Sequence, residues 1–238
     1  MKKILSSVSI LSPVPIPPPP TPPPGLSADV VASGLPVHPE ERIRLFSASQ
    51  WELFIQEWVD SLRDEYELVE RCGGAGDMGR DVIATVKGGN GIWDNYQCKH
   101  YEDSLKPGDI WVELGKLAYY TKRGDFSYPR RYYFIAPRGA GTKLSNLLKK
   151  PQELRSELFQ QWDKHCRERI TKTMVVECDA AMKAHIENLD FSIFQAIDPA
   201  LTACVQLSLA GPHLASGSQP AAPPPMTTRL TGQSPRRR

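Results

Sequence analysis

Three polar residues of this chain have the types and the spacing of a minimal site for cleaving a phosphodiester. Asp81 offers an anionic ligand for a metal ion, Gln97 a neutral oxygen ligand, and Lys99 a cation for a phosphate or an attacking water. Asp81 precedes the β-branched segment 82–86, and Gln97 and Lys99 end an aromatic segment that begins at Ile92. Because a Gly-Gly-Asn-Gly turn separates the two segments, the sequence predicts a β-hairpin that gathers the three groups.

The alternation of side chains along a strand places a condition on this hairpin. Gln97 and Lys99 share one face, and Asp81 joins them only if it lies opposite residue 97 or 99. A two-residue turn at Gly89-Asn90 would pair Asp81 with Cys98 and separate the groups. The site therefore requires a three- or five-residue loop or a bulge.

A hard divalent cation requires several oxygen ligands, and a helix predicted upstream of the hairpin offers a further carboxylate. Ser47 is its expected N-cap, and apolar residues follow at the i, i+3, i+4 spacing of a helix that packs on a sheet. Glu52 lies at the edge of this apolar stripe near the helix start, so we expect it to lean toward the hairpin and to complete the metal site. Glu57 points away from the centre of the stripe, and we expect it to be solvated.

The order of these features resembles the Mrr-like restriction endonucleases of the PD-(D/E)XK nuclease superfamily. The resemblance covers about residues 47–150. The matching motifs are Trp51-Glu52, Gly76-Asp77-Met78-Gly79-Arg80-Asp81 and Gln97-Cys98-Lys99. This chain has Gln97 where the common pattern of the superfamily has a carboxylate, a replacement that the Mrr-like branch tolerates.

The resemblance implies an α/β fold, with a restriction-endonuclease-like mixed β-sheet flanked by helices. It also implies a Mg²⁺-dependent endonuclease in which Asp81, Gln97 and Glu52 bind the metal and Lys99 acts on the attacking water or the scissile phosphate. The expected substrate is double-stranded DNA, and the expected setting is restriction or anti-phage defence. Cutting both strands would require a homodimer or two encounters.

Two alternatives from other functional classes remain open at this point. The domain could be a catalytically inactive nuclease fold that only binds DNA, or the chain could be a polyproline-bearing interaction protein. The presence of Asp81, Gln97 and Lys99 together argues against the first alternative. A G-x-G-x-x-G match at Gly74–Gly79 is not a dinucleotide-binding motif, because strand-like residues follow it where a helix would be required.

Composition divides the 238 residues into four parts. We predict a disordered Pro-rich segment over 1–38, the nuclease domain over 39–150, a helical extension over 151–210 and a disordered low-complexity tail over 211–238. Within the nuclease domain, the pattern downstream of the hairpin predicts an α/β half, with a helix over 108–122, a strand over 132–136 and a helix over 142–149. The extension resembles the linker that precedes a sensing or assembly domain in bacterial defence proteins, so a partner sensor or assembly protein is an expected partner.

The five cysteines are scattered without a Cys-x-x-Cys pair, which argues against zinc and against a disulfide framework. The short, serine-broken apolar stretch near the N-terminus lacks a cleavage site, and no run reaches the length of a membrane span. We therefore expect a cytoplasmic protein that does not enter a membrane. The net charge of +2 is uninformative, but the segment that follows the motif has a basic bias that could line a DNA groove or form a solvated surface. The basic residues are Lys99, His100, Lys106, Lys116, Lys122, Arg123, Arg130, Arg131, Arg138, Lys143, Lys149 and Lys150.

Overall fold

The computed structural model of the protein describes residues 38–73, 76–200 and 202. The predictions of a disordered segment over 1–38 and a disordered tail over 211–238 lie almost entirely outside the described residues. The described chain is of the mixed α/β class, with helices on both faces of a five-stranded sheet. None of the described helices combines the length and the apolar character that crossing a membrane requires.

The helices and strands predicted between Ser47 and residue 149 are present in the predicted order, and a short helix precedes them. In chain order the elements are α1 (Pro39–Arg44), α2 (Ala48–Asp60), β1 (Tyr66–Arg71), β2 (Val82–Val86), β3 (Trp93–Cys98), α3 (Trp111–Arg123), β4 (Arg131–Ile135), α4 (Thr142–Leu148), α5 (Pro151–His165), α6 (Ala180–Asn188) and β5 (Phe194–Ile197). The strands lie side by side in the order β1-β2-β3-β4-β5. The first three pair in antiparallel fashion and the last three in parallel, so the sheet is mixed.

Helix α2 forms where the capping signal and the apolar period place it. The Ser47 hydroxyl accepts a hydrogen bond from the amide of Gln50, and the Gln50 side chain accepts one from the amide of Ser47, which completes a capping box. Trp51, Ile55 and Val59 are buried against one face of the sheet. The predicted N-cap and the predicted apolar stripe are confirmed.

Helices α3, α5 and α6 cover the opposite face of the sheet. We predicted a helical extension over residues 151–210, separate from the nuclease domain. In the structure, Leu158 and Trp162 of α5 and Phe194 of β5 lie in the same buried cluster as the side chains of α3 and β4. Because β5 also pairs in parallel with β4, residue 150 does not separate two cores.

At the end of the sheet away from the hairpin motif, a half-buried ion pair joins β3 to the residue before β4. The Asp94 side chain is 0% exposed and accepts hydrogen bonds from Arg130 Nε at 3.0 Å and Nη2 at 2.5 Å. The Tyr66 hydroxyl donates to the same carboxylate at 2.7 Å. Glu65 accepts a further bond from Arg130 at 2.6 Å, so this end of the sheet is joined by charge as well as by apolar packing.

Candidate functional site

The hairpin has the register that the candidate site requires. The Val86 amide donates to the Ile92 carbonyl at 2.8 Å, which leaves residues 87–91 as a five-residue loop. The pairing continues along β2 and β3, with Val82 opposite Tyr96. One step further, it brings Asp81 opposite residue 97. The prediction of an odd-numbered loop is confirmed.

Asp81 lies where three strands meet, and its carboxylate is tied to β3. Its Oδ2 accepts hydrogen bonds from Gln97 Nε2 at 2.6 Å and from the Cys98 amide at 2.7 Å. Its carbonyl accepts from the amide of Cys72, directly after β1, at 2.8 Å. The structure therefore brings Asp81 and Gln97 into direct contact and fixes the carboxylate at the end of the hairpin.

The turn before Asp81 depends on backbone conformations that favour glycine. Met78 and Gly79 have φ values of 54° and 82°, and the Arg80 amide closes the turn on the Asp77 carbonyl at 3.0 Å. The Gly79 amide donates to Asp77 Oδ1 at 3.0 Å, which confirms the predicted Asx-type bond. A Cβ at Gly79 would lie 2.8 Å from Lys116 Cδ, so the turn packs directly on α3. Strand β2 follows this turn, in agreement with our rejection of the dinucleotide motif.

The Gln97 side chain is buried and bonded on both sides. Its Oε1 accepts a hydrogen bond from the Tyr132 hydroxyl at 2.9 Å, while its Nε2 faces Asp81. The Tyr132 hydroxyl also lies 3.3 Å from the Gly79 carbonyl. If the amide turned over, this hydroxyl could accept from Nε2 and donate to Gly79, since a phenol oxygen does both. The amide oxygen of Gln97 would then face the Asp81 carboxylate, and a cation could bridge the two.

Lys99 follows β3 and is held by a carboxylate that sequence reasoning missed. Its Nζ lies 2.5 Å from Oε1 of Glu113, and the side chains of Lys99 and Glu113 are only 13% and 4% exposed. Lys116 Nζ approaches the other oxygen, Oε2, at 3.2 Å. A signal for Glu113 was present in the sequence, because this charged residue lies among the apolar positions of α3 between Ile110 and Leu117.

The pKa values of these groups reflect their burial and their mutual charges. Burial raises the pKa of Asp81 from 3.8 to about 7, against the positive charge of Lys99 and the amide of Cys98. The negative charges of Glu113 and Glu52 raise the Asp81 pKa further. Burial would lower the pKa of Lys99, but the charge and hydrogen bond of Glu113 outweigh it and raise that pKa. The site therefore contains a lysine that stays protonated and a carboxylate that is costly to ionise without a cation.

Glu52 belongs to α2, on the face of the sheet opposite α3, and reaches Asp81 only through its charge. It is half-buried, and its charge raises the pKa values of Asp81 and Cys98. Among the hydrogen bonds of the described residues, none joins Glu52 to Asp81. Glu57, on the same helix, is exposed to solvent. Of the two glutamates, Glu52 is the one whose charge affects the pKa of Asp81.

The donor set is small for a metal centre. Within the described ranges, no three side chains of His, Cys, Asp or Glu lie close enough to share a metal ion. Mg²⁺ is nevertheless commonly held by one or two protein carboxylates, with water and phosphate oxygens completing its shell. Asp81, with the charge of Glu52 nearby, fits that mode of binding, and Gln97 would add an oxygen only if its amide turned over.

The basic residues expected to line a DNA groove are largely neutralised by carboxylates. Those in ion pairs are Lys99, Lys106, Lys116, Lys122, Arg123, Arg130, Arg131 and Lys150. Arg138, Lys143 and Lys149 are exposed, and no carboxylate of the described chain pairs with them. Of the twelve predicted basic residues, the described chain therefore offers few cations without a carboxylate partner to a DNA groove.

Comparison with known proteins adds no further information. No family model, no curated protein and no solved structure matches the chain. A functional assignment must therefore rest on the residues of the site and on their geometry.

Proposed function

We propose that this protein is a Mg²⁺-dependent endonuclease that hydrolyses the phosphodiester bonds of double-stranded DNA. The proposal includes kinship with the Mrr-like endonucleases, a restriction-endonuclease-like sheet and a role in restriction or anti-phage defence in the cytoplasm. The observation that carries it is the hydrogen bond between Asp81 and Gln97 at the end of the hairpin. Lys99 follows Gln97 by two positions, on the same face of the strand. The order of helix, hairpin, helix and parallel strand supports the same assignment.

Asp81 and Gln97 are the residues that would hold the metal. Asp81 supplies the anionic oxygen, and its pKa of about 7 means that a cation would relieve an unfavourable charge. Gln97 supplies a neutral oxygen once its amide turns over against Tyr132. When bound, a divalent cation would polarise the scissile phosphate and acidify a water molecule. Glu52 adds negative charge on the other side of Asp81.

Lys99 would stabilise the charge that develops on the attacked phosphate or orient the attacking water. Its ammonium is partly buried, so little solvent screens it, and it is already in place before substrate arrives. A cation held in the site before substrate arrives requires less reorganisation during the reaction than a mobile surface lysine.

A catalytically inactive, DNA-binding nuclease fold is the second candidate, and one observation favours it. The Lys99 ammonium donates a hydrogen bond to Glu113 at 2.5 Å. This leaves fewer of its N–H groups free to bind a phosphate. This reading predicts DNA binding without cleavage, so the same experiment decides between the two candidates.

The decisive experiment incubates the full chain with supercoiled plasmid, both methylated and unmethylated, in Mg²⁺ or in EDTA. We expect nicking and linearisation only with Mg²⁺. Asp81→Ala and Lys99→Ala should each slow cleavage by about 10²–10³-fold, the typical effect of losing one transition-state contact. Lys149→Ala, a variant of an exposed lysine, is the matched control and should cleave normally.

Circular dichroism and a DNA-binding assay complete the comparison. Both site variants should keep the far-ultraviolet spectrum and most of the DNA affinity of the wild type. Undiminished cleavage by Asp81→Ala or Lys99→Ala would refute the assigned roles. DNA binding without cleavage by the wild type on either plasmid would favour the inactive candidate.

A further inference from the structure

Glu113 is a buried carboxylate to which the proposed reaction assigns no role. It lies in the first turn of α3, and its side chain is 4% exposed. Lys99 approaches Oε1 at 2.5 Å and Lys116 approaches Oε2 at 3.2 Å, so two ammonium groups flank one carboxylate. The Lys116 contact has the distance of an ion pair without the geometry of a hydrogen bond.

The burial of this cluster makes each charge depend on the others. A buried carboxylate or ammonium is tolerated only with a close partner of opposite charge. Lys99 could turn toward a phosphate only at a cost if this left Glu113 without a cation. Lys116 removes that cost, because it stays beside Glu113 as a second partner.

The cluster also touches the turn that leads into Asp81. A Cβ on Gly79 would lie 2.8 Å from Lys116 Cδ and 3.1 Å from Glu113 Oε2. The positive φ of 82° at Gly79 and the absence of a side chain allow this close approach. The positions of Glu113 and Lys116 on α3 are thereby coupled to the position of the Asp81 turn.

We propose that Glu113 is a positioning residue for Lys99, and that Lys116 is the reserve cation that lets Lys99 engage substrate. This inference rests on the proposed nuclease function, because it assigns Lys99 to the attacked phosphate or water. Glu113 itself contacts neither the DNA nor the metal. Its effect is to hold the ammonium at the end of β3 before substrate binds.

Lysine acylation tests the positioning step without DNA or metal. The full chain is treated under native conditions with a limiting amount of an acetyl N-hydroxysuccinimide ester, and the modification of each lysine is followed by mass spectrometry. In the wild type, Lys99 should react more slowly than exposed Lys143. Glu113→Gln should accelerate the reaction at Lys99 about tenfold, as expected for the loss of a charged hydrogen bond.

The matched control is Glu153→Gln, which removes the partner of Lys150 from an exposed ion pair of 2.8 Å. Because exposed pairs contribute little, the reactivity of Lys150 should change less than about twofold. If Glu113→Gln does not fold, Glu113→Asp takes its place, since it keeps the charge but withdraws it by one methylene. An unchanged rate at Lys99 in the folded variant would overturn the proposal.

Plasmid cleavage separates a positioning role from a merely structural one. Glu113→Gln should lower kcat about tenfold or more while the DNA and Mg²⁺ concentrations at half-maximal rate stay within about threefold, since binding is retained. Glu113→Asp should recover part of kcat, and Lys116→Met should lower kcat less than Glu113→Gln. A loss of activity that only parallels a loss of thermal stability, without rescue by aspartate, would overturn the proposal. If the wild type cleaves no DNA, the nuclease function fails, and the acylation rates alone still decide whether Glu113 holds Lys99.

Discussion

Replacing Asp81 by asparagine should stabilise the metal-free protein at neutral and alkaline pH, even though it removes the proposed activity. Burial first, and then the charges of Glu113 and Glu52, raise the pKa of Asp81 to about 7, while Lys99 opposes the rise. Ionisation of this carboxyl is therefore less favourable in the folded protein than in the unfolded chain. The amide of asparagine avoids that ionisation and keeps an oxygen for the backbone of Cys98.

The size of the effect follows from the pKa change. A rise from 3.8 to about 7 corresponds to about 4 kcal/mol, at ~1.4 kcal/mol per tenfold change in proton affinity. Since Asp81 is partly exposed, solvent screening reduces the expected value to about 2 kcal/mol. The folded-state pKa is raised, so this contribution to stability is complete below pH 3.8 and is lost as the pH rises through about 7.

The assay is urea unfolding of the full chain in EDTA at pH 4.5 and pH 8. The free energy of unfolding of Asp81→Asn, relative to the wild type, should increase by about 2 kcal/mol between the two pH values. The control Glu57→Gln alters an exposed carboxylate and should show no such trend. Adding Mg²⁺ at pH 8 should stabilise the wild type and leave Asp81→Asn unchanged, because only the wild type binds the ion. A pH-independent difference between variant and wild type would refute the reasoning.

Three further outcomes are expected. Glu52→Gln should lower the rate of plasmid cleavage more than Glu57→Gln does, because only Glu52 acts on the charge of Asp81. Asp94→Asn should lower the free energy of unfolding in urea by about 2–3 kcal/mol, since it removes the buried carboxylate that pairs with the half-buried Arg130. A chain ending at residue 150 should fail to unfold cooperatively, because it loses α5 and β5 from the core, and each large buried side chain contributes about 1.5–3 kcal/mol.

Each of these outcomes has its own control. Equal rates for the two helix variants would remove Glu52 from the mechanism. Asp60→Asn, which breaks an exposed pair with Arg63, should change the free energy of unfolding by less than about 0.5 kcal/mol. A loss as large as that of Asp94→Asn would show that burial of the Asp94 carboxylate does not account for its effect. Sharp, cooperative unfolding of the chain that ends at residue 150 would show that α5 and β5 are dispensable for the core.

Local spacing alone determined the elements around the site. The capping box at Ser47 and the apolar period after it predicted α2, because both signals involve residues three or four positions apart. The alternation of side chains showed that the site requires an odd-numbered loop or a bulge, and the structure has a five-residue loop at 87–91. The sequence left Asp81 opposite residue 97 or 99, and the register of the folded hairpin selects residue 97.

Only the tertiary structure decided which other groups complete the site and the core. Glu113 is brought to Lys99 by the packing of α3 on the sheet, and Tyr132 reaches Gln97 from 35 positions along the chain. Strand β5 joins the sheet beside β4 through a parallel crossover that no short-range pattern specifies. These contacts depend on how whole elements pack, and the energy of that packing is distributed over the entire core. Spacing along the chain therefore predicted the hairpin motif, and the fold determined its partners.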